Sequence, residues 1–201
     1  MRRAFKPLVF LAALLPLAGL IFIVLTGRTS ANPAEDIILT TGIWALRFLL
    51  LTLAITPIRR LTGWNAIIQY RRMFGLFAFF YGGVHLLSYI AFDRFFVLSE
   101  VLADVAKRPF ITMGMLAFLC MVPLAITSTK GWIRRLGRRW QHLHRLVYLS
   151  GIAACVHFIW KVKVVFGEPV YYAGILALLL AFRLAWRFRT NRGVRRQPAQ
   201  A

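Results

Sequence analysis

Cysteine and acidic residues are scarce in this chain of 201 residues, and each scarcity excludes a class of protein. Two cysteines cannot build the disulfide framework of a small secreted domain. Six acids oppose 26 Lys and Arg, so the formal net charge is +20. Such a charge is common in nucleic-acid-binding proteins, but this chain is 60% hydrophobic and 16% charged, whereas soluble domains are about 25% charged. The composition therefore indicates a membrane protein without a nucleic-acid partner.

Long apolar stretches alternate with charged segments along the chain. A bilayer core of about 30 Å needs roughly 20 mostly apolar residues in a helix. We predict an all-α membrane protein with a single transmembrane domain (1–201) and six spanning helices, at approximately 8–25, 37–56, 73–92, 111–126, 143–160 and 170–186. Residues 187–201 are expected to form a basic cytoplasmic tail. Residues 29–31 resemble a signal-peptide cleavage site, so a cleaved first span is the alternative.

The distribution of charge predicts how the six spans are oriented. Eighteen of the 26 cations lie towards the two termini and in the loops after spans two and four. The other loops carry six cations and all six acids. Because cytoplasmic loops are enriched in Lys and Arg, both termini are predicted to be cytoplasmic. The acids of the opposite, periplasmic side would then be available to dock a partner; those considered are Glu35, Asp36, Asp93, Glu100 and Asp104.

Two of the four histidines lie inside predicted spans at matching depth. His85 is in span three, 13 residues after Arg72 at the cytoplasmic edge. His157 is in span five, 13 residues after His144 at the same edge. Both therefore lie about 20 Å above that edge. Imidazole is a good axial ligand for haem iron, whereas zinc needs three or four ligands. The pattern favours a haem site, with interhelical hydrogen bonding by each histidine as the alternative.

A second polar level lies at the cytoplasmic edge of the predicted spans. Arg71 begins span three, and His142 and His144 begin span five. In an ideal helix His142 lies closer to the face of His157 than His144 does, so the inner candidate stays open. Arg47 lies within span two, where a lone arginine costs at least about 2.5–3.5 kcal/mol. A haem propionate would be a suitable partner for it, and snorkelling to the interface is the alternative.

Four stretches cover most of the predicted membrane core: TGIWALRFLLLTLAITP, RRMFGLFAFFYGGVHLLSY, KGWIRRLGRRWQHLHRLVYL and VHFIW. Together they resemble the ferric-reductase-like transmembrane family. The resemblance implies six helices with haem b held between helices three and five, at a ligand spacing reproduced by Arg71/His85 and His144/His157. It therefore favours His144 as the inner ligand. Arg71 departs from the histidine that the family usually has at that position.

Similarity to short members of this family implies the rest of the predicted function. It implies a bacterial inner-membrane location, one or two haems and FMN, and electrons drawn from the quinone pool. These would pass to a periplasmic molybdopterin-containing subunit that reduces protein methionine sulfoxide. The cofactor-binding residues expected are His85, His157, His144, Arg71 and Arg47, with the three histidines as iron ligands.

Two alternatives remain at this point. One is a stand-alone ferric or quinone reductase of the same fold, which needs no protein partner. The other is a haem-free, proton-coupled transporter whose histidines relay protons. Many transporters are built from inverted repeats. The sequence shows no internal repeat, so its pattern gives the second alternative no support.

Overall fold

The computed structural model describes residues 5–163 and 167–195, with side chains up to residue 190, and its regular elements are all helical. A 3₁₀ turn (Asn65–Tyr70) leads into α3, and a π-helical turn (Tyr89–Asp93) extends it. Residues 196–201 of the predicted tail lie outside the described residues, and residues 187–195 continue the last helix. The α-helices are α1 (Phe5–Leu25), α2 (Pro33–Thr62), α3 (Arg71–Ser88), α4 (Leu98–Lys107), α5 (Pro109–Ile126), α6 (Lys130–Leu136), α7 (Arg138–Leu143), α8 (Leu146–Val162) and α9 (Glu168–Arg195).

Six helical segments in the described ranges are long and apolar enough to cross a membrane. The all-α class and the predicted number of spans are therefore confirmed, and the protein is a multi-pass membrane protein. Large apolar side chains cover the outer surface, as on Leu15 (66% exposed) and Leu178 (73% exposed), which is typical of helices that face lipid. The six segments are Phe5–Leu25, Pro33–Thr62, Asn65–Asp93, Pro109–Ile126, Arg138–Val162 and Glu168–Thr190.

Two helix pairs form the centre of the bundle. α2 packs mainly against α3, and α5 packs mainly against α8. Large apolar side chains fill the core, among them Phe48 and Leu53 of α2 and Phe77 and Tyr81 of α3. α9 packs against α8 and α2, and α1 lies against α2. The two intramembrane histidines are carried by α3 and α8. One of these helices therefore belongs to each central pair.

The ends of α2 follow from local sequence. Asn32 precedes the helix and its side chain accepts a hydrogen bond from the Glu35 amide at 3.3 Å, while Pro33 occupies the first turn, where no amide hydrogen is needed. Gly63 ends the helix with φ of 69°, a left-handed conformation that glycine adopts without steric cost. These caps fix where α2 begins and ends.

A proline inside α2 leaves a backbone carbonyl of that helix free to accept a hydrogen bond from α9. Pro57 has no amide hydrogen, so the carbonyl of Leu53 loses its normal helical donor. Nη2 of Arg183 in α9 donates to that carbonyl at 2.5 Å, and Nη1 donates to the Tyr148 hydroxyl at 3.0 Å. The cationic side chain therefore compensates for the missing amide and joins α9 to α2 and α8.

A tyrosine holds α1 against the bundle in a comparable way. The Tyr81 side chain is 1% exposed, and its hydroxyl donates to the Ala13 carbonyl at 2.9 Å and accepts from the Leu17 amide at 3.2 Å. These two backbone groups would otherwise bond to each other along the helix. The hydroxyl is thus inserted into the hydrogen-bond ladder of α1 beside Pro16, one of the recognised causes of a helix kink.

Ion pairs among the described residues are found at one end of the bundle. We call it the acidic end, because it carries the six acids; the opposite end, with the basic loops at 59–72 and 130–139, is the basic end. Asp104 of α4 is 8% exposed and receives hydrogen bonds from Tyr89 at 2.6 Å and Arg94 at 2.5 Å, with Arg108 Nε at 3.2 Å. The Tyr89 hydrogen bond, together with Arg94 and Arg108, holds the pKa of Asp104 below its usual value despite burial. Asp104 therefore joins α3, α4 and α5 instead of facing a partner.

Candidate functional site

A cavity of about 380 Å³ lies between the two central helix pairs and reaches the acidic end. Its volume is within the range of about 300–1,000 Å³ found for ligand pockets. Most of its wall is apolar, with Leu46, Leu49 and Phe118 among the lining residues. Polar groups on the wall include His85 and His157. A large apolar pocket with a few convergent polar groups is the usual form of a ligand site.

The structure brings His85 and His157 together on opposite walls of this cavity. Their ring centroids are 6.0 Å apart and their planes are inclined at 79°. Nδ1 of His85 lies 2.8 Å from the Ile38 carbonyl oxygen of α2, and Nδ1 of His157 lies 2.6 Å from the Phe110 carbonyl oxygen of α5. A carbonyl can only accept, so each Nδ1 carries the proton and donates it. Each Nε2 therefore keeps its lone pair, the form in which imidazole binds a metal.

The separation of the two rings fits one metal ion between them. Metal–imidazole bonds are about 2.0–2.1 Å long. If both Nε2 atoms bound one metal ion from opposite sides, two such bonds would place the centroids about 6.3 Å apart. The observed distance is 6.0 Å. In the described ranges no group of three His, Cys, Asp or Glu could hold a bare metal ion, so any metal here needs its remaining ligands from a cofactor such as a planar macrocycle.

Arg47 lies outside the wall of this cavity, and its predicted role at a cofactor stays a prediction. Its Nε donates to the Tyr172 hydroxyl at 2.8 Å, and its guanidinium lies 4.8 Å from the Trp44 ring centroid. Aromatic faces attract cations, so the buried charge is accommodated between α2 and α9 without a carboxylate. Two cations that sequence reasoning treated as loop charges, Arg108 and Lys161, line the cavity instead.

A break in the helix separates the inner histidines, His142 and His144, from His157. α7 ends at Leu143 and α8 begins at Leu146, so the ideal-helix comparison that favoured His142 does not apply. His142 is exposed, whereas His144 is half-buried. Nε2 of His144 lies 3.1 Å from the Thr127 hydroxyl, and its ring stacks on Trp140 with centroids 3.8 Å apart. The Thr127 hydroxyl itself donates to the Pro123 carbonyl, so His144 donates through Nε2 in this arrangement.

Arg71 is half-buried at the basic end, and Arg72 is exposed. Arg71 begins α3 and His144 lies just before α8, and their pairing at a second haem stays a prediction.

Sequence reasoning missed two glycines and the backbone carbonyls that position the histidines. Gly42 of α2 lies against the His85 ring, and Gly114 of α5 lies against the His157 ring. A signal was present in the sequence. Residues 40–45 (TTGIWA) and 112–117 (TMGMLA) share the pattern T-x-G-x-x-A, and both histidines follow a valine 47 residues after their carbonyl partner. The two helix pairs therefore share a short local pattern around the residues that seat the histidines.

The fold and the site together define the class of protein. It is a helical membrane bundle in which two imidazoles line one apolar intramembrane cavity. Residues 41–155 match the model of the ferric reductase like transmembrane component family. The chain belongs to this family and, within it, to the MsrQ proteins.

The MsrQ relatives are similar over nearly their whole length. The protein-methionine-sulfoxide reductase heme-binding subunit MsrQ of Herminiimonas arsenicoxydans is 49% identical over 92% of this chain and 86% of its own. The protein of the same name from Xanthomonas oryzae pv. oryzae (strain MAFF 311018) is 47% identical over 98% and 94%, and that from Ralstonia nicotianae is 47% identical over 94% and 89%. No solved structure matches the chain.

Proposed function

We propose that this chain binds haem b between His85 and His157 and is the electron-transfer subunit of a methionine sulfoxide reductase system. The observation that carries the proposal is the pair of imidazoles whose centroids are 6.0 Å apart in an apolar cavity. Its relatives are named as heme-binding subunits of that reductase. When bound, haem supplies a one-electron carrier, whereas the protein sets its ligation and surroundings.

The chain's own residues have distinct tasks in this proposal. His85 and His157 bind iron through Nε2, and their Nδ1–H groups hold the rings on the Ile38 and Phe110 carbonyls. Such outer hydrogen bonds fix the tautomer and orientation of a metal ligand. The apolar part of the cavity wall would limit the access of water to the two rings.

Arg108 and Lys161 would pair with the carboxylates of the haem. Both cations line the cavity towards the acidic end, and hydrogen bonds between ionised groups are the stronger kind. Arg47 does not line the cavity. Arg108 does, and because its Nε already bonds to Asp104, the donors proposed for haem are its Nη groups and the Lys161 ammonium.

The charge distribution supports an orientation in which the basic end and both termini are cytoplasmic. The acidic end is then periplasmic, and the His85/His157 cavity opens towards it. We propose that electrons enter from the quinone pool of a bacterial inner membrane and leave here to a periplasmic molybdopterin-containing subunit. Glu35 and Asp93 line the cavity and are available for docking that partner, whereas Asp104 is engaged within the chain.

The proposal is limited to one haem. A second haem at His144 and Arg71 stays a prediction, because Nε2 of His144 is bonded to Thr127 in the structure. FMN also stays an implication of the family resemblance, since no arrangement in the described part of the chain distinguishes a flavin site.

Haem content of purified variants tests the proposal. We expect His85→Ala and His157→Ala each to lower the haem-to-protein ratio by about tenfold or more, measured as the pyridine haemochrome. His142→Ala is the matched control, because that side chain is exposed and its removal should leave haem content unchanged. Normal haem content in both site variants would refute the ligand assignment. In His144→Ala, loss of half of the haem would show a second site.

Two further measurements separate the proposal from its alternatives. Purified chain without a Soret band would favour the haem-free transporter. Rapid turnover of soluble ferric or quinone acceptors by the chain alone would favour a stand-alone reductase. Electron transfer that requires the periplasmic subunit would support the proposed conduit.

A further inference from the structure

The two intramembrane histidines are seated in the same way on two different helices. His85 of α3 bonds to the Ile38 carbonyl of α2, and Gly42 follows that carbonyl by one helical turn. His157 of α8 bonds to the Phe110 carbonyl of α5, and Gly114 follows it by one turn. One structural device therefore occurs twice, in the pair α2/α3 and in the pair α5/α8.

Neither glycine has room for a side chain. A Cβ built on Gly42 would lie 2.9 Å from Nδ1 of His85, and one built on Gly114 would lie 2.7 Å from Nδ1 of His157. The Cα–Cβ bond in an α-helix tilts towards the helix N-terminus, so a methyl group at either position would cover the carbonyl one turn earlier. That carbonyl is the acceptor that the imidazole uses, so a methyl group would compete directly with the ring for its place.

We propose that Gly42 and Gly114 are positioning residues that set the orientation of the two haem ligands. Their missing side chains let each imidazole lie against a neighbouring helix, where Nδ1–H reaches the backbone and the ring plane is held. The inference rests on the proposed function where it calls the histidines ligands. The seating of the rings is a property of the protein alone, so it can be tested with and without haem.

Other glycines in the same region provide controls. A Cβ on Gly83, two residues before His85, would lie 3.8 Å from the nearest Phe118 atom. A Cβ on Gly75, also in α3, would lie 3.7 Å from the Thr52 side chain. Both distances are ordinary van der Waals contacts, so alanine fits at either site. Any effect confined to positions 42 and 114 then arises from contact with the imidazoles.

The haem-independent test measures the tautomers of the histidines. The chain has four histidines, so the ¹⁵N spectrum of the full chain, labelled at histidine and prepared without haem, is simple to assign with the His85→Ala and His157→Ala variants. We expect two Nδ1-protonated rings in the unaltered protein. Gly42→Ala should remove that signal for His85 and Gly114→Ala for His157, while Gly75→Ala and Gly83→Ala should retain both.

The haem-bound test measures retention and ligand geometry. The g-values of ferric low-spin haem depend on the angle between the two imidazole planes, which is 79° here. We expect Gly114→Ala and Gly42→Ala to shift the largest g-value, or to weaken haem retention by about tenfold. The effect should be larger for Gly114→Ala, where the contact is closer. Helix content and thermal unfolding of each variant are measured alongside.

Several results would overturn the proposal. These are unchanged tautomers and g-values in both variants, or equal changes in Gly83→Ala. Loss of the helical fold in both Gly42→Ala and Gly114→Ala would show that the glycines serve general helix packing instead. Absence of haem from the unaltered chain would refute the proposed function, while the tautomer measurement would still decide whether the glycines seat the rings.

Discussion

The contact between Arg183 and the proline-containing segment of α2 allows a quantitative test of how this bundle compensates for a broken helix. Nη2 of Arg183 donates to the Leu53 carbonyl at 2.5 Å, in place of the amide that Pro57 lacks. Arg183→Met removes the donor and leaves a carbonyl without a partner at a residue that is 0% exposed. Leaving a buried acceptor unsatisfied costs about 1–3 kcal/mol.

The second half of the double-mutant cycle restores the missing donor in the backbone. Pro57→Ala supplies an amide hydrogen at position 57 that can close the normal helical bond to Leu53. Arg183→Met should therefore be less destabilising in the Pro57→Ala background, by a coupling energy of about 1–2 kcal/mol. The lost hydrogen bond from Nη1 to Tyr148 occurs in both backgrounds and cancels.

Reversible unfolding in mixed detergent micelles, followed by circular dichroism, measures all four proteins of the cycle. Arg187→Met is the matched control, because Arg187 is an exposed cation one turn further along α9; its loss should change the free energy of unfolding by less than about 0.5 kcal/mol. If Arg183→Met costs the same in both backgrounds within about 0.3 kcal/mol, the carbonyl is not what Arg183 satisfies, and the compensation argument is wrong.

Further predictions concern the other contacts that hold the bundle and its cavity. Tyr81→Phe removes the hydroxyl between Ala13 and Leu17; since the helical bond of α1 can then close, we expect a loss of about 0.5–1.5 kcal/mol in unfolding free energy, and no loss would show that the inserted hydroxyl contributes nothing. Asp104 has a lowered pKa in the folded protein, so its stabilising effect is present above the unfolded-state pKa of about 3.9 and is lost as the pH falls through the folded value. Asp104→Asn should therefore flatten the dependence of Tm on pH at acidic pH, whereas Glu100→Gln, whose side chain is 56% exposed, should leave the dependence intact; equal profiles for all three proteins would refute this. Combined Arg108→Ala and Lys161→Ala substitutions should weaken haem retention by about tenfold in a competition assay with apomyoglobin, and a larger effect of Arg47→Met would return the carboxylate contact to Arg47.

Some of the site could be anticipated from sequence because it depends on spacing along single helices. His85 and His157 lie in parallel spans at the same distance from the basic end, and a helix converts that distance into depth at a fixed rise per residue. The angular argument at the inner level failed for a related reason. It assumed one continuous helix through His142, His144 and His157, but the helix is interrupted between Leu143 and Leu146.

Arg47 shows why charge reasoning alone left the contacts of an intramembrane cation undetermined. An intramembrane arginine needs compensation, and no acid lies within the predicted spans, so a cofactor carboxylate was the expected partner. The structure supplies compensation from Tyr172 and Trp44, which are 125 and three residues away respectively. Aromatic partners for a cation have no fixed spacing, so their identity depends on how α9 packs on α2.

By itself, the sequence determined the membrane class, the six spans and the shared depth of His85 and His157, because hydropathy, charge asymmetry and helical rise act locally. Tertiary structure decided which backbone carbonyls hold the two rings, why Gly42 and Gly114 must lack side chains, and which cations line the cavity. Those features depend on contacts between helices distant in sequence, such as the 47 residues between each histidine and its carbonyl partner. Close packing of helix against helix selects among the many pairings that the sequence leaves open.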